Sequence, residues 1–427
     1  MNMALTNTPL KVDREQLQRD FDALADLTEP GKPWTRRSFT PMFLKGRDYL
    51  AARFAEEGLA THIDTSGNLT GTWFGSNPDR PVLMTGSHSD TVPSGGRFDG
   101  IAGILCGLAA IRALRLAGYQ PEHSIELVDF LAEEPSEWGL SCIGSRGMVG
   151  ALTDTHFAMS GPDGERLDTA ITRMGGKPEA IAQTIRSDVA AFVEIHIEQG
   201  PVLEAEDIPL GVVSGIAGIA RVRLRLEGEA GHAGTVPMAM RKDAGIAISR
   251  LLIALRDAAS AEADKGRGHF TATIGVMHLE PNGANVVPGA AEAIVDIRAE
   301  NDAAMDDYLA LIETLAADAA TAEGCVVAAI ERLSRTFAVA CDDRLQTLIR
   351  DAADAHGLAT RPLASGAGHD AAFVARIAPA AMIFVPSRGG ISHAPEEWTD
   401  NEAIARAADV LTLTLSTLDQ RPLAPTA

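Results

Sequence analysis

The sequence is poor in cysteine and in basic residues, and it has no long apolar run. Its four cysteines show no C-x-x-C spacing, which predicts free thiols in a reducing compartment. The 37 basic residues face 58 acidic ones, and 37 − 58 gives a formal charge of −21. This charge disfavours binding to nucleic acid or to an anionic membrane, and its simplest explanation is solubility. No segment reaches the roughly 18 apolar residues that span a bilayer, and residues 1–20 hold no apolar signal core, so we expect a cytoplasmic protein.

The length of the chain predicts more than one domain. Its 427 residues exceed the size of one ordinary hydrophobic core. Hydrophobic residues make up 46% of the chain and charged residues 22%, which is the balance of a globular protein. The hydrophobic pattern of the middle of the chain differs from that of the two ends, and this difference indicates where the domains divide. We predict a catalytic domain over residues 1–213 and 333–427, interrupted by an inserted domain over residues 214–332.

Apolar segments of the first domain are typical of buried strands. Strands are expected at 82–85, 125–131, 191–198 and 381–385, with a helix at 101–117. A strand, a helix and a second strand within about 50 residues form a βαβ unit, which predicts an α/β fold with a mixed, mostly parallel sheet flanked by helices. Open parallel sheets bind ligands beyond the carboxyl ends of their strands, and polar clusters follow all of these strands.

The inserted segment has a different order of elements. The sequence predicts strands at 220–227, 271–279, 292–299 and 325–330, with helices at 238–258 and 303–319. The order β-α-β-β-α-β is that of a ferredoxin-like α+β sandwich.

Histidine and acidic residues at the strand ends are candidate metal ligands. His88 and Asp99 share a glycine-containing loop between a strand and a helix, which can bring both side chains to one cation. Asp90 can accept the second ring N–H of His88 and fix its tautomer. His196 and His393 lie at the ends of other strands, although each by itself could be a structural or a solvent-facing histidine. Glu396 and Glu397, which follow His393, could be solvated or could help to seat it.

Two consecutive acids, Glu133 and Glu134, complete this set. Consecutive side chains point to opposite sides of an extended backbone, so one can bind a cation while the other deprotonates a water. Taken alone, the pair is more often a solvated turn. One of the two acids with Asp99 and the three histidines suits two divalent ions about 3.5 Å apart, with Asp99 as the natural bridge. Nitrogen and oxygen donors without thiolate fit Zn²⁺, and also Mn²⁺, Co²⁺ or Ni²⁺.

Eight motifs along the chain share one family pattern. They are 86–93 (GSHSDTVP), 95–100 (GGRFDG), 194–201 (EIHIEQGP), 231–238 (GHAGTVPM), 281–289 (PNGANVVPG), 296–298 (DIR), 365–371 (SGAGHDA) and 392–393 (SH). Together they resemble the hydantoinase/carbamoylase amidases, a branch of the di-metal aminoacylase–carboxypeptidase superfamily that contains N-carbamoyl-L-amino acid hydrolases, allantoate amidohydrolases and β-ureidopropionases. The resemblance extends over residues 40–410 or so.

This resemblance implies a di-zinc exopeptidase-like fold with an inserted lid and dimerisation domain. It implies that two divalent metal ions are held by a defined set of ligands, namely His88, Asp99, Glu134, His196 and His393. Asp99 bridges the two ions, and Glu133 is the general base. In the wider superfamily a lid histidine can reach the active site of the partner subunit, so a homodimer is expected.

The resemblance also implies substrate contacts on both predicted domains. On the inserted domain these are His232, Asn285 and Arg298, and on the catalytic domain they are Gln199, His369 and Gly390. Arg298 offers a planar fork that can grip a carboxylate, and His232 could donate to an oxyanion. The alternatives are a solvated strand residue for Arg298, turn residues for His232 and Asn285, and a helix-start residue for His369.

One segment departs from the family pattern. Residues 135–138 read Pro-Ser-Glu-Trp, where the family usually has Gly-Ser-Arg-Phe after the two acids. Glu137 in place of an arginine reverses a charge close to the predicted site, which leaves the substrate subtype open.

We therefore predict a metal-dependent amidohydrolase that acts on a small ureido acid. It would hydrolyse the ureido C–N bond of an N-carbamoyl-L-amino acid to the amino acid, CO₂ and ammonia. The alternatives are allantoate hydrolysis, or an N-acyl-amino-acid hydrolase or dipeptidase, which releases no ammonia. A binding protein without activity would normally lack Glu133 or a metal ligand, and none is missing here.

Overall fold

The computed structural model describes residues 10–421 and residue 423. It forms two compact units. The first comprises the described residues of Met1–Ser214, Cys341–Leu363 and His369–Ala427, and the second comprises Gly215–Ala340 and Ala364–Gly368. All four cysteines are buried and form no disulfide within the described chain. None of the described helices is long and apolar enough to cross a membrane.

Fifteen strands and twelve α-helices are found in the described residues. The strands are β1 (Ala60–Ile63), β2 (Leu69–Trp73), β3 (Val82–His88), β4 (Ile125–Phe130), β5 (Val189–Ile197), β6 (Leu210–Ile216), β7 (Gly218–Glu227), β8 (Gly231–His232), β9 (Phe270–Glu280), β10 (Val286–Val287), β11 (Ala290–Ala299), β12 (Val326–Arg335), β13 (Val339–Ala340), β14 (Thr360–Ser365) and β15 (Ala380–Val385). The helices are α1 (Arg14–Asp26), α2 (Pro41–Glu56), α3 (Ile101–Leu116), α4 (Ile143–Met148), α5 (Asp154–Phe157), α6 (Leu167–Arg173), α7 (Val202–Ala205), α8 (Ala244–Ala263), α9 (Asp302–Ala322), α10 (Asp343–Ala355), α11 (Ala371–Val374) and α12 (Asn401–Gln420).

The first unit is built on a mixed sheet with the order β1-β2-β4-β3-β5-β15-β6. Its four central strands, β4, β3, β5 and β15, are parallel, whereas the outer strands are antiparallel to their neighbours. The parallel register aligns His88 with Phe130 and His196 with Phe384. The carboxyl ends of the central strands therefore meet at one edge of the sheet. This confirms the predicted mixed sheet with a parallel centre.

Strand β3 is longer than the sequence predicts. It continues to His88 because Ser87 and His88 stay in register with Asp129 and Phe130 of β4. His88 is therefore the last residue of a buried strand rather than a residue of the following loop.

Helix α3 covers the sheet and begins directly after the loop that carries Asp99. Its side chains are buried nearly all round, and it packs on β3, β4, β5 and α12. Gly100, the residue before the helix, has a φ of 66°, and an added Cβ would lie 2.4 Å from the ring of His88. The backbone can approach the histidine this closely only because residue 100 is glycine.

The second unit is a four-stranded antiparallel sheet with the order β12-β7-β11-β9 and two helices, α8 and α9. Alternate residues of β7 face a core shared with both helices, as Val222, Leu224 and Leu226 show. This is the predicted β-α-β-β-α-β arrangement. The prediction of a helix from residue 238 is wrong, because Met238–Met240 forms only a 3₁₀ turn. Helix α8 begins after Asp243, whose carboxylate caps it by accepting hydrogen bonds from the first-turn N–H groups.

Candidate functional site

Asp99 lies at the centre of a group of histidines and acids in the first unit, of which all but His393 are buried. Its Oδ1 lies 3.4 Å from Nε2 of His88 and 3.2 Å from Nε2 of His196. Its Oδ2 lies 3.3 Å from Nε2 of His393, which is 3.4 Å from Oε1 of Glu134. The structure thus brings together all five side chains predicted as ligands. They form two candidate metal-binding groups that have Asp99 in common.

The tautomers of two histidines indicate how this group could hold cations. Nδ1 of His88 donates to the backbone carbonyl of Asp90 at 3.0 Å, and Nδ1 of His196 donates to the carbonyl of Ile197 at 2.9 Å. The N–H of Gly100 donates to Nε2 of His196. In their neutral forms both rings therefore point a lone pair at the carboxylate of Asp99. Two facing acceptors are unfavourable unless a cation lies between them, so these residues fit a divalent metal.

Neighbouring charges shift the pKa values of this group. Burial would raise the pKa of Asp99, but His196, His393 and His88 hold it well below its usual value. Burial opposes protonation of His88, but the carboxylates of Glu133, Asp90 and Asp99 raise its pKa well above the usual value. Positive charge is thus favoured among these acids, and a bound cation would take the place of the imidazole protons.

Glu133 and Glu134 extend from the carboxyl end of β4 toward this centre. Oε2 of Glu133 lies 3.7 Å from Nε2 of His88, and Sγ of Cys142 donates to its Oε1 at 3.6 Å. Burial and the neighbouring Glu134 raise the pKa of Glu133 well above its usual value. Burial and Asp99 raise the pKa of Glu134 to about 7. A buried carboxyl group with a raised pKa suits proton transfer near neutral pH.

Asp90 acts differently from the sequence prediction. Its carboxylate was expected to accept the ring N–H of His88, but the nearer carboxylate oxygen is 3.6 Å from Nδ1. The carboxylate instead accepts the backbone N–H groups of Glu133 at 3.2 Å and of Glu134 at 3.3 Å. The histidine is oriented by the carbonyl of Asp90, and the carboxylate of Asp90 orients the acidic pair.

Gln199 was expected to contact substrate and is found among the candidate ligands. Its backbone has a φ of 57°. Its Nε2 donates to Oδ2 of Asp99 at 2.6 Å and to Nε2 of His393 at 3.3 Å. This side chain therefore connects two of the groups predicted to hold metal.

The other two predicted substrate contacts of the first unit are His369, which precedes β15 in the chain, and Gly390, which follows it. His369 is buried and packs edge-on against the ring of His196, with the ring centroids 4.6 Å apart. Burial and His196 lower its pKa well below the usual value. Gly390 ends a 3₁₀ turn with a φ of 66°, and an added Cβ would lie 2.8 Å from the backbone N of Pro201. The close approach of two chain segments explains the glycine.

The second unit brings His232 and Asn285 together. Strands β8 and β10 pair so that His232 faces Val286, and the carbonyl of Asn285 accepts the N–H of Ala233. The N–H of Gly234 donates to Nδ1 of His232, which places the ring proton on Nε2. The exposed imidazole of His232 is therefore a hydrogen-bond donor at Nε2.

Two of the three guanidinium nitrogens of Arg298 donate hydrogen bonds within the second unit. Nε donates to Oδ1 of Asp296 at 2.9 Å, and Nη1 donates to the carbonyl of Gly366 at 2.7 Å. Among the described residues none accepts a hydrogen bond from Nη2. The guanidinium is thus held in place with one nitrogen available to a ligand.

Glu194 and Ser392 have no role assigned from the sequence, and Glu397 was left as either a solvated residue or one that helps to seat His393. Oε1 of the buried Glu194 accepts a hydrogen bond of 2.6 Å from Ser87, beside His196. Oγ of Ser392 lies 3.0 Å from Oδ2 of Asp99, and Glu397 accepts a hydrogen bond from the backbone N–H of Asp99. The period-two alternation of β5, which puts Glu194 on the face of His196, was a usable signal for the first. The proximity of Ser392 and Glu397 to His393 in the chain was a weaker one.

The segment that departs from the family pattern is held by partners of its own. Glu137 forms an ion pair with Nη1 of Arg37. Nη2 of Arg37 donates to the carbonyl of Pro135 at 3.2 Å. Trp138 is buried against Phe39, with the ring centroids 4.7 Å apart. The reversed charge at residue 137 is therefore neutralised by Arg37.

Comparisons with known proteins give a consistent set of relatives. A family model described as peptidase family M20/M25/M40 matches residues 84–417. An N-carbamoyl-L-amino-acid amidohydrolase of Paenarthrobacter aurescens is 32% identical over 96% of this chain and 99% of the relative. A ureidoglycolate hydrolase of Oryza sativa subsp. japonica is 33% identical over 96% and 86%, and an allantoate amidohydrolase of Bacillus subtilis is 34% identical over 88% and 91%. A solved amidase of the hydantoinase/carbamoylase family from Burkholderia multivorans is 33% identical, with a TM-score of 0.90 over 97% of this chain and 100% of that one.

Proposed function

This chain belongs to the peptidase family M20/M25/M40, in its hydantoinase/carbamoylase branch of carbon–nitrogen hydrolases, and we propose on that premise that it hydrolyses an N-carbamoyl-L-amino acid. Water cleaves one ureido C–N bond, and the carbamic acid that results loses CO₂, so the products are the amino acid, CO₂ and ammonia. The observation that supports this proposal is the position of Asp99, which belongs to two candidate metal-binding groups with the carboxyl group of Glu133 beside them.

Two divalent cations would be held by His88, Asp99, Glu134, His196 and His393, and when bound they would polarise the ureido carbonyl and lower the pKa of a water toward about 7. We propose zinc, since three imidazoles and two carboxylates without a thiolate suit it. Mn²⁺, Co²⁺ and Ni²⁺ suit the same donors and belong in the test.

Glu133 moves the proton in this scheme. It accepts a proton from the attacking water and delivers it to the leaving nitrogen, so one carboxyl group serves both halves of the reaction. Its burial and the raised pKa that follows favour this double use, because the group can hold the proton between the two steps. Asp90 keeps the carboxyl group in place through the backbone N–H groups of the acidic pair.

We assign substrate recognition to residues of both units. His232, with its proton on Nε2, would donate to the developing oxyanion. Arg298 and Asn285 would hold the carboxylate of the substrate, with Nη2 as the nitrogen of Arg298 that donates to none of the described residues. Gly390 would contribute backbone contacts. As part of the same proposal, the second unit serves as a lid and the enzyme acts as a homodimer.

A substrate panel with metal reloading tests the proposal. The purified chain is stripped of metal, reloaded separately with Zn²⁺, Mn²⁺, Co²⁺ or Ni²⁺, and offered N-carbamoyl-L-α-amino acids, N-carbamoyl-β-alanine, allantoate, ureidoglycolate and N-acetyl amino acids. Ammonia and free amine are both measured, and the stripped protein is the control. We expect ammonia release to be fastest with an N-carbamoyl-L-amino acid. Faster release from allantoate or ureidoglycolate would make that compound the substrate instead of an N-carbamoyl-L-amino acid. Activity confined to the N-acetyl amino acids would overturn the ureido assignment.

A further inference from the structure

We propose that Glu397 is a positioning residue that holds the loop of Asp99 against the loop of His393 and thereby sets the affinity of the second cation. This inference rests on the proposed function, because it concerns the metal-binding groups of that site. Glu397 is 1% exposed and does not belong to the candidate metal-binding groups found among the described residues. It acts through the residues that it holds.

Each oxygen of the Glu397 carboxylate accepts hydrogen bonds from a different one of the two loops. Its Oε1 accepts the backbone N–H of Phe98 at 2.8 Å and that of Asp99 at 3.1 Å. Its Oε2 accepts the hydroxyl of Ser392 at 2.9 Å, and the same hydroxyl lies 3.0 Å from Oδ2 of Asp99. One side chain thus joins the backbone that carries Asp99 to the residue that precedes His393.

The loop of Asp99 is shaped to receive this carboxylate. A Cβ added at Gly96 would lie 1.8 Å from the carboxyl carbon of Glu397. Gly96 is not among the residues with a positive φ, so its backbone conformation is one that other residues can adopt. Glycine at this position therefore serves the close approach of Glu397 rather than a turn.

This connection matters most for the second candidate group, which consists of Asp99, Glu134 and His393. His88 and His196 are fixed at the ends of buried strands. His393 instead lies in a loop, its side chain is 49% exposed, and its backbone has a φ of 55°. Loss of the carboxylate of Glu397 would release the loop on which His393 depends while the strand-borne histidines stay in place.

Metal binding by matched variants tests this role. The full chain and the variants Glu397→Ala, Glu397→Gln and Glu396→Ala are stripped of metal and dialysed against increasing free Zn²⁺ or Mn²⁺, and bound metal is counted by mass spectrometry. Glu396 is exposed and adjacent, which makes it the control. Residues that orient metal ligands typically change affinity about 10–100-fold, so we expect Glu397→Ala to bind the second ion at least about tenfold more weakly and the first ion normally.

Rescue by the conservative variant separates positioning from general stability. The amide of Glu397→Gln keeps one oxygen for the N–H groups of Phe98 and Asp99, and its NH₂ can face Ser392. We expect it to bind both ions within about threefold of the parent chain. Its kcat should fall far less than that of Glu397→Ala, with KM similar in both variants.

Gly96→Ala gives an independent route if Glu397→Ala fails to fold. The added methyl group displaces the carboxylate although Glu397 itself is retained, and the same selective loss of the second ion is expected. Two ions bound with parental affinity in Glu397→Ala or in Gly96→Ala would overturn the proposal, as would an equal effect of Glu396→Ala. If the parent chain binds two ions but releases no ammonia from any ureido acid, the proposed function fails while the comparison of ion affinities still decides the role of Glu397.

Discussion

Oδ1 of Asp90 accepts a hydrogen bond of 3.2 Å from the backbone N–H of Glu133, which lies 43 positions further along the chain. The second carboxylate oxygen binds the next N–H, that of Glu134. A residue after β3 therefore fixes the backbone of the acidic pair after β4. The two neighbouring parallel strands are coupled at the edge where the site forms.

Replacing Asp90 tests this coupling. Asp90→Ala leaves two buried N–H groups without an acceptor, which should lower the free energy of unfolding by about 1–3 kcal/mol. Because the acidic pair loses its anchor, kcat should fall about 10–100-fold. Urea denaturation and ammonia release measure the two effects. Asp79→Ala, at an exposed position, is the control, and a kcat within twofold of the parent chain would refute the anchoring role.

Glutamine substitutions distinguish the two acids. Glu133→Gln cannot take a proton from water, so turnover should fall about 10²–10⁴-fold while both metals stay bound. Glu134→Gln removes a charged ligand of the second group and should lose metal together with activity. Metal content and ammonia release are measured on the same samples. Loss of metal in Glu133→Gln, with metal retained in Glu134→Gln, would exchange the assigned roles.

The buried ion pair of Arg47 and Asp129 predicts a large effect on stability. Nε of Arg47 lies 3.0 Å from Oδ2 of Asp129, and both side chains are almost fully buried. Arg47→Leu leaves a buried carboxylate without its cation, which should cost about 3–5 kcal/mol of unfolding free energy.

An exposed pair provides the comparison for this effect. Arg406 and Glu402 are 3.3 Å apart on the surface of α12. Arg406→Leu should cost no more than about 1 kcal/mol. Chemical denaturation measures both variants, and equal losses would contradict the dependence on burial.

Removing metal should destabilise the chain as well as inactivate it. A ligand at 100 times its dissociation constant stabilises the folded state by about 2.7 kcal/mol, and chelation removes this contribution. Thermal unfolding with and without chelator gives the shift in Tm, and Zn²⁺ or Mn²⁺ should restore both Tm and turnover. Mg²⁺ at equal concentration should restore less, because it prefers oxygen ligands to imidazole. An unchanged Tm after complete metal removal would count against the site.

The sequence predicted most of the fold because its hydrophobic pattern is strong. The βαβ unit of β3, α3 and β4 and the β-α-β-β-α-β order of the second unit were predicted from apolar periodicity, and both are confirmed. The family resemblance, drawn from motifs spread over the whole chain, is confirmed by the comparisons. The predicted start of one helix was wrong because a capping contact sets where that helix begins. The capping carboxylate of Asp243 starts α8 six residues after the predicted position.

By itself, the sequence determined which residue types follow each strand, because strand ends and their polar neighbours are local properties of the chain. That was sufficient to select His88, Asp99, His196, His393 and one of the acids Glu133 and Glu134 as candidate ligands, and the family resemblance predicted which acid is the ligand and which the general base. Only the tertiary structure decided which atoms meet. The carboxylate of Asp90 binds backbone N–H groups rather than a ring, and the amide of Gln199 reaches the predicted ligands Asp99 and His393. These contacts join segments far apart in sequence, and their partners depend on strand register and loop packing, which no local pattern encodes.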